Sequence, residues 1–150
     1  MRTYRLARTQ WFPTKIDDAF AFFSRPENLE QITPSFLRFH VVHADHELRQ
    51  GSLIEYRLRM HGIPMRWISE ITEWEQPRRF VDTQVRGPYS LWRHQHTFVA
   101  ERGGTRIDDE VEYTLPFGAL GRIVHALLVR RDVESIFAFR QRRLAELLGS

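Results

Sequence analysis

Alternation of apolar and polar residues predicts a β-hairpin over residues 91–116. The Gly103-Gly104 pair supplies the positive φ angles that a two-residue hairpin turn requires, which places Arg102 opposite Thr105. In this register one face is largely apolar and comprises Trp92, His94, His96 and Phe98 opposite Leu115, Tyr113, Val111 and Asp109. The other face is polar and solvated, with Arg93, Gln95 and Thr97 opposite Thr114, Glu112 and Glu110. Because burying a polar group without a partner costs roughly 1–3 kcal/mol, the two histidines on the apolar face indicate a pocket.

The segment before the hairpin predicts one strand, two short helices and four more strands. The first strand covers residues 3–12 and contains neither Gly nor Pro. A helix follows, with apolar residues at helical spacing from Ile16 to Phe23 and with Thr14 and Asp17 resembling a capping box at its start. A second short helix begins at Pro26 and ends at Thr33-Pro34. The four strands cover residues 36–42, 52–60, 65–75 and 80–86.

After Pro116 the apolar residues recur at helical spacing to the end of the chain. The predicted apolar stripe comprises Leu120, Val124, Leu127, Leu128, Val133, Ile136, Phe137, Leu144 and Leu147. Arg130-Arg131-Asp132 interrupts this stripe, so we expect a kink or a break there, and Gly149 ends the helix. A meander of six strands must curl, and this helix is the only element large enough to cover its concave face. The pattern therefore predicts one α+β domain over residues 1–150, with a curved antiparallel sheet wrapped around a long C-terminal helix.

Composition narrows the classes of function. The chain has 150 residues and no cysteine, which excludes disulfides, thiol catalysis and cysteine-ligated metals. Its net charge is +3, but the arginines are scattered among apolar and acidic neighbours, so we expect no nucleic-acid binding. Met1-Arg2 leads directly into an alternating segment, without an apolar signal core or a run long enough to span a bilayer. We expect a cytoplasmic protein without stable membrane insertion.

His94 and His96 are the most prominent candidate functional residues. A His-x-His pair on one strand face directs both imidazoles into the same space, where they could contact a ligand, transfer protons or bind a metal. A metal site would need a third ligand, for which Asp82, Asp109 or His61 are possible only if the fold brings them near. In a purely structural alternative, each histidine bonds Tyr113, Gln84 or a buried water. We favour a polar lining of a small-molecule pocket, with no metal and no cofactor.

Further candidates follow from the faces of the other predicted elements. Asp82 and Gln84 share a strand face with Phe80 and point into the pocket if that face is inward; otherwise Asp82 lies at the solvent side of an edge strand. Arg140 could anchor a ligand carboxylate or pack its stem and pair with a structural carboxylate. The predicted ligand-binding residues are Tyr56, Trp67, Asp82, Gln84, Trp92, His94, His96, Tyr113, Phe137 and Arg140.

Several local motifs accompany this order of elements: residues 26–29 (PENL) and 32–34 (ITP), Phe80-Val81-Asp82, Gly87-Pro88-Tyr89 before Trp92, Gly104-Thr105 before Asp109, and Ile136-Phe137 before Arg140. Order and motifs together resemble the helix-grip fold of the START-like, SRPBCC superfamily, which includes polyketide cyclase/dehydrase-like and lipid-transfer proteins. The resemblance covers essentially the whole chain and implies a deep cavity between the sheet and the C-terminal helix.

The resemblance implies binding or carriage of a hydrophobic or aromatic small molecule, such as a lipid, quinone or polyketide-like compound. The alternative is a cyclase/dehydrase-type enzyme in which His94, His96, Asp82 or Tyr113 moves protons. The chain contains no G-x-G-x-x-G, P-loop, G-x-S-x-G or H-E-x-x-H motif, so we expect neither a nucleotide cofactor nor a covalent hydrolase.

Overall fold

The computed structural model describes residues 2–149, and in that range it has seven β-strands and four α-helices. The strands are β1 Tyr4–Phe12, β2 His40–Ala44, β3 Leu53–Met60, β4 Ile63–Glu75, β5 Arg79–Arg86, β6 Leu91–Glu101 and β7 Gly104–Thr114. The helices are α1 Ile16–Phe23, α2 Glu27–Gln31, α3 Gly118–Val124 and α4 Arg130–Leu148, with a 3-10 turn at Ser35–Leu37 and a π-helical segment at His125–Val129. Met1 and Ser150, which the predicted domain includes, lie outside the described residues. No helix between residues 2 and 149 is long and apolar enough to cross a membrane.

The strands form one curved antiparallel sheet in the order β1-β7-β6-β5-β4-β3-β2. Every strand from β2 to β7 pairs with its neighbour in sequence, while β1 pairs with β7. The two edge strands are therefore consecutive in sequence, and α1 and α2 connect them. The α+β fold class predicted from the order of elements is confirmed, including the helix-grip arrangement with two short helices after the first strand.

The β6–β7 hairpin turns at Arg102-Gly103, with φ angles of 49° and 74°. Thr105 pairs with Ala100, so the predicted pairing of Arg102 with Thr105 is wrong by two positions. The reason is that Gly104 is already part of β7, where a Cβ would collide with the backbone oxygen of Phe12. A shift of two positions keeps every side chain on its predicted face. The correction does change the cross-strand partners, because Asp109 now lies opposite His96.

Two local predictions near the N-terminus are also wrong. Thr14 forms no capping box, because its hydroxyl donates instead to the backbone oxygen of Leu148 at 2.6 Å, and helix α1 begins without a side-chain cap. The strand predicted over residues 36–42 begins later, since the 3-10 turn occupies Ser35–Leu37 and Arg38 adopts a left-handed conformation with φ of 47°. The chain reaches the extended conformation only at His40.

The first half of the predicted C-terminal stripe is exposed, which contradicts the sequence analysis. Leu120 is 59% exposed and Leu127 is 75% exposed, and the buried residues here are Gly121 and His125. The irregularity also lies before the predicted position, because hydrogen bonding is π-helical at His125–Val129 and regular from Arg130 onwards. A π turn contains one residue more than an α turn, so it rotates the following stripe by roughly a quarter turn.

The apolar residues of the stripe between Leu120 and Leu128 are therefore exposed, whereas one continuous α-helix would bury them together with the stripe of α4. Leu147, predicted to lie at the end of the stripe, is also partly exposed at 37%. In contrast, Val133, Phe137 and Leu144 of α4 are buried as predicted. Helix α4 is consequently the part of the C-terminal segment that covers the concave face of the sheet.

Candidate functional site

An apolar cavity of about 180 Å³ lies between the sheet and α4. Aliphatic and aromatic side chains from α1, β3, β4, β5 and α4 form most of its wall, among them Phe23, Ile54, Leu58, Phe80, Val133 and Ile136. Eight of the predicted ligand-binding residues also line it: Tyr56, Trp67, Asp82, Trp92, His94, His96, Phe137 and Arg140. The period-2 pattern of the strands brings these side chains together, because inward positions on neighbouring strands share the concave face.

Two other predicted residues have different roles. The Gln84 side chain holds the β5–β6 loop, since its amide nitrogen donates to the Tyr89 oxygen at 2.7 Å and its amide oxygen accepts from the Tyr89 nitrogen at 3.1 Å. The Tyr113 hydroxyl forms a 2.7 Å hydrogen bond with Nε2 of His125, beneath α3. Neither Gln84 nor Tyr113 is part of the cavity wall.

A buried polar cluster occupies one side of the cavity and consists of Asp82, His94, His96, Asp109 and Arg140. Nε2 of His94 lies 2.8 Å from Oδ1 of Asp109, and Nε2 of His96 lies 2.7 Å from Oδ2 of Asp82. Nη2 of Arg140 donates to the same Asp109 oxygen at 3.2 Å, and Nδ1 of His96 lies 3.4 Å from it. The two imidazole rings stack with their centroids 3.7 Å apart.

Strand register brings this cluster together. Asp82 of β5 pairs with His94 of β6, and His96 of β6 pairs with Asp109 of β7, so all four side chains project from the same face. Arg140 reaches them from α4, three residues after the buried Phe137 and on the same side of the helix. Its guanidinium carbon lies 5.2 Å from the ring centroid of Phe23 and 5.8 Å from that of Phe137.

The pKa values of the two histidines shift in opposite directions. Burial, together with the charge of neighbouring His96, lowers the pKa of His94 to about 4, against the opposing effect of Asp109. Burial also acts to lower the pKa of His96, but the Asp109 and Asp82 carboxylates on either side of the ring outweigh it and raise that pKa. His94 is therefore neutral near pH 7, whereas the two carboxylates stabilise the imidazolium form of His96.

Both carboxylates stay ionised. Burial alone would raise the pKa of Asp109, but Arg140 and the two histidines hold it well below its usual range. Burial has the same direction at Asp82, where the hydrogen bond from His96 and the nearby cations lower the pKa overall. The two carboxylates thus face the guanidinium of Arg140 and the ring of His96, whose imidazolium form they stabilise.

Asp82, His94 and His96 each offer one possible metal-ligand atom, and these atoms lie within 4.8 Å of one another. Nε2 of each histidine is already bonded to a carboxylate. His61, the other histidine considered as a ligand, lies elsewhere and bonds Asp132 at 2.8 Å between the β3–β4 turn and the start of α4. The absence of a bound metal remains a prediction from the sequence.

Asp109 and Ser69 are two site residues that were not among the predicted ligand-binding residues. Asp109 connects His94, His96 and Arg140, and its position on the inward face of the hairpin pattern was the signal that could have indicated this role. Ser69 accepts a 2.9 Å hydrogen bond from Nε1 of Trp67 in the cavity wall. No sequence pattern identifies Ser69, since it is a single polar residue among the apolar inward-facing residues of β4.

A curved antiparallel sheet that encloses an apolar cavity against a C-terminal helix defines a helix-grip protein. The chain belongs to the family described as polyketide cyclase/dehydrase and lipid transport, whose family model matches residues 13–137. The match includes the whole sheet from β2 to β7 and the first part of α4. The family assignment is therefore consistent with ligand binding and with cyclase/dehydrase-like chemistry.

Solved structures of similar fold come from bacteria and plants. Protein Ms6760 from Mycobacterium smegmatis is 22% identical with a TM-score of 0.70, and the match covers 96% of this chain and 90% of that one. Protein CV1439 from Chromobacterium violaceum is 15% identical with a TM-score of 0.73, covering 99% and 97%. Major latex-like protein 151 from Panax ginseng is 16% identical with a TM-score of 0.60, covering 89% and 96%. These likenesses show the fold alone, and no curated protein sequence matches the chain.

Proposed function

We propose that this protein binds a small hydrophobic or aromatic molecule in the cavity between the sheet and α4, and carries it without chemical change. The observation that carries this proposal is the cavity itself, with its largely apolar wall and a volume of about 180 Å³. An apolar protein cavity of roughly 150 Å³ is large enough to bind benzene. A cavity of this size therefore suits one or two rings, either as a whole ligand or as the ring system of a larger lipid, quinone or polyketide-like molecule.

The arrangement of aromatic side chains supports a ring-containing ligand. Trp67 makes edge-to-face contacts with Tyr89 and Trp92, at centroid distances of 5.5 and 5.4 Å. Such rings expose both faces and edges to a neighbouring molecule, and aromatic pairs gain about 0.5–1.5 kcal/mol beyond their buried area. A flat aromatic ligand would extend this cluster of aromatic side chains into the cavity.

The proposal is tested with N-phenyl-1-naphthylamine, a neutral probe whose fluorescence increases in an apolar site. We expect saturable binding to the wild type and at least a tenfold weaker affinity in Ile136→Trp, because residue 136 lines the cavity and the larger ring occupies its space. Ala138→Trp is the matched control, since Ala138 is exposed on the same helix. Circular dichroism shows whether both variants fold. Equal binding by the folded Ile136→Trp variant and the wild type would contradict the proposal.

A cyclase/dehydrase-type enzyme is the second candidate, favoured by the carboxylate of Asp82 and the two imidazoles that line one side of the cavity. The pKa directions support the carrier instead. A general base works best when its pKa lies near the working pH, whereas the pKa of His94 is about 4 and that of Asp82 is lowered. His96 has a raised pKa, but both of its ring nitrogens face carboxylates.

A further inference from the structure

We propose that the cavity selects neutral aromatic ligands that carry a hydroxyl group, because two cross-strand partners in its wall, Asp82 and His94, each keep an unpaired hydrogen-bond acceptor. This inference rests on the proposed function and names the ligand class of the same cavity. It predicts preference for a phenol-type molecule over the matching ether and over the matching carboxylate.

Several nitrogen donors on this side of the cavity already have acceptors. Nη2 of Arg140 donates to Asp109, and Nε1 of Trp67 donates to Ser69. Nε of Arg140 has no hydrogen-bond partner, but it is fully buried, with the guanidinium lying against Phe23 and Phe137. Nε2 of His96 is bonded to Asp82, and its buried Nδ1 faces Asp109.

Two hydrogen-bond acceptors remain available beside these paired donors. Asp82 uses Oδ2 to bind His96, no residue in the described part of the chain donates to Oδ1, and its side chain is 18% exposed. His94 uses Nε2 to bind Asp109, and no residue from 2 to 149 forms a hydrogen bond with its Nδ1. Asp82 and His94 are cross-strand partners, and a carboxylate oxygen of one lies within 4.8 Å of a ring nitrogen of the other. A ligand hydroxyl near this pair can donate to either acceptor.

The Tyr56 hydroxyl complements these acceptors. Burial and the charge of nearby Asp82 raise the pKa of Tyr56, so the phenol keeps its proton. Tyr56 lines the same cavity as Asp82 and can donate to a ligand oxygen. A ligand hydroxyl uses both kinds of group, because its proton binds an acceptor while its oxygen accepts from Tyr56. An ether oxygen can only accept, so it leaves Oδ1 of Asp82 and Nδ1 of His94 without a donor.

Charge disfavours an anionic ligand. Arg140 is the only arginine or lysine among the described residues that line the cavity, and it is paired with Asp109. The His96 ring is likewise held between Asp82 and Asp109. A ligand carboxylate would therefore approach the ionised Asp82 with no unpaired cation to receive it, and burying an unpaired charge is strongly unfavourable.

The test is calorimetric titration of the full chain at pH 7 with three ligands of one ring system: 2-naphthol, 2-methoxynaphthalene and 2-naphthoic acid. We expect 2-naphthol to bind about tenfold more tightly than the ether, the usual effect of one hydrogen bond to a charged group, and the acid to bind most weakly. Asp82→Asn should reduce the preference for naphthol over the ether, because a neutral amide oxygen is a weaker acceptor than a carboxylate oxygen. Asp108→Asn is the matched control, because Asp108 bonds Thr9 and Arg106 away from the cavity.

The outcomes separate this inference from the proposed function. Equal affinity for all three ligands, or tightest binding of the acid, would overturn the hydroxyl preference while leaving a hydrophobic-ligand carrier intact. No binding of any of the three, together with no binding of N-phenyl-1-naphthylamine, would overturn both. The comparison of ligands on the wild type does not depend on the folding of any variant. A preference that survives unchanged in folded Asp82→Asn would exclude Asp82 as its source.

Discussion

At the scale of single residues, the two stacked histidines differ in how readily they take up a proton. Their ring centroids are 3.7 Å apart, so a second imidazolium beside the first would add repulsion to the cost of burial. The carboxylates decide which ring carries the proton, since His96 lies between Asp82 and Asp109 whereas His94 contacts Asp109 alone. One sequence pattern, His-x-His, thus produces two imidazoles whose pKa values shift in opposite directions.

This division predicts a stability maximum near pH 6.5, the ordinary pKa of histidine. Below that pH the unfolded chain protonates His94 while the folded protein keeps it neutral down to about pH 4, so acid lowers the free energy of unfolding, by at most about 3 kcal/mol. His96 has the opposite sign: its raised folded pKa contributes stability that is present below pH 6.5 and is lost as the pH rises through that folded value.

Urea denaturation at several pH values between 4.5 and 8.5 measures this effect. We expect His94→Gln to reduce the loss of stability between pH 6.5 and 4.5, and His96→Gln to reduce the loss on the alkaline side. His46→Gln is the control, because His46 is exposed. The slopes are compared rather than the absolute stabilities, since both buried substitutions also change packing. An acid slope in His94→Gln equal to that of the wild type would contradict the assignment of a neutral His94.

At the scale of secondary-structure elements, the segment from α3 to α4 departs most from its sequence pattern. Gly121 lies against the backbone oxygen of Pro116, and His125 stacks on Tyr4 with ring centroids 3.4 Å apart. The buried residues of this region are therefore a glycine packed against the loop before α3 and a histidine packed against β1, four residues apart on one face. The larger apolar residues of the same helix face outward.

Gly121→Ala is expected to destabilise the protein by about 1–3 kcal/mol, although alanine is intrinsically the better helix former by roughly 1 kcal/mol. The added Cβ would collide with the backbone oxygen of Pro116, which cannot move without shifting the start of α3. Leu127→Ala is the control, since Leu127 is 75% exposed and its truncation should change stability by less than about 0.5 kcal/mol. Thermal and urea unfolding measure both. A stabilised Gly121→Ala variant would show that this close approach does not hold α3 in place.

At the scale of the whole molecule, the same cavity wall can serve a carrier or an enzyme, and the two roles use its polar residues differently. In a carrier, removing one hydrogen-bonding partner changes ligand affinity by about 0.5–1.5 kcal/mol, or more where a buried partner is stranded. In an enzyme, loss of a group with a required protonation state reduces kcat far more than affinity.

We therefore expect His94→Gln and His96→Gln to shift probe affinity modestly, and the wild type to convert none of a panel of β-keto and polyketide-like substrates. Product formation is followed by liquid chromatography and mass spectrometry, with the Ala138→Trp variant as a control for damage outside the cavity. Turnover whose pH profile disappears in either histidine variant, with probe affinity preserved, would show that the protein is an enzyme.

The order of elements was predictable because hydrophobic period is a local property. The inward face of the β6–β7 hairpin was also predictable despite the wrong turn, because Trp92, His94 and His96 keep their face when pairing shifts by two positions. The turn itself was not predictable from Gly103-Gly104, since the role of Gly104 depends on Phe12 of a distant strand.

The partners of the site residues were harder to predict than their faces. Whether Asp82 meets His96 depends on the register between β5 and β6, which the intervening loop and Gln84 determine together. The exposed half of the C-terminal stripe depends on a π-helical segment that apolar spacing does not reveal. In the first case the deciding contacts join residues on different strands and in the loop between them. In the second case π-helical hydrogen bonds replace regular α-helical ones.

The pairing of β1 with β7 has a consequence for synthesis of the chain. Tyr4 pairs with Tyr113 and Phe12 pairs with Thr105. Strand β1 therefore leaves the ribosome long before its partner strand, β7, has been synthesised. At roughly 5–20 residues per second, the delay is about 5–20 s. An unpaired strand can associate with other nascent chains during such an interval, and charged residues on an edge discourage this. Arg5 and Arg8 lie among the apolar residues of β1, where their charges can discourage such association until β7 pairs with the strand.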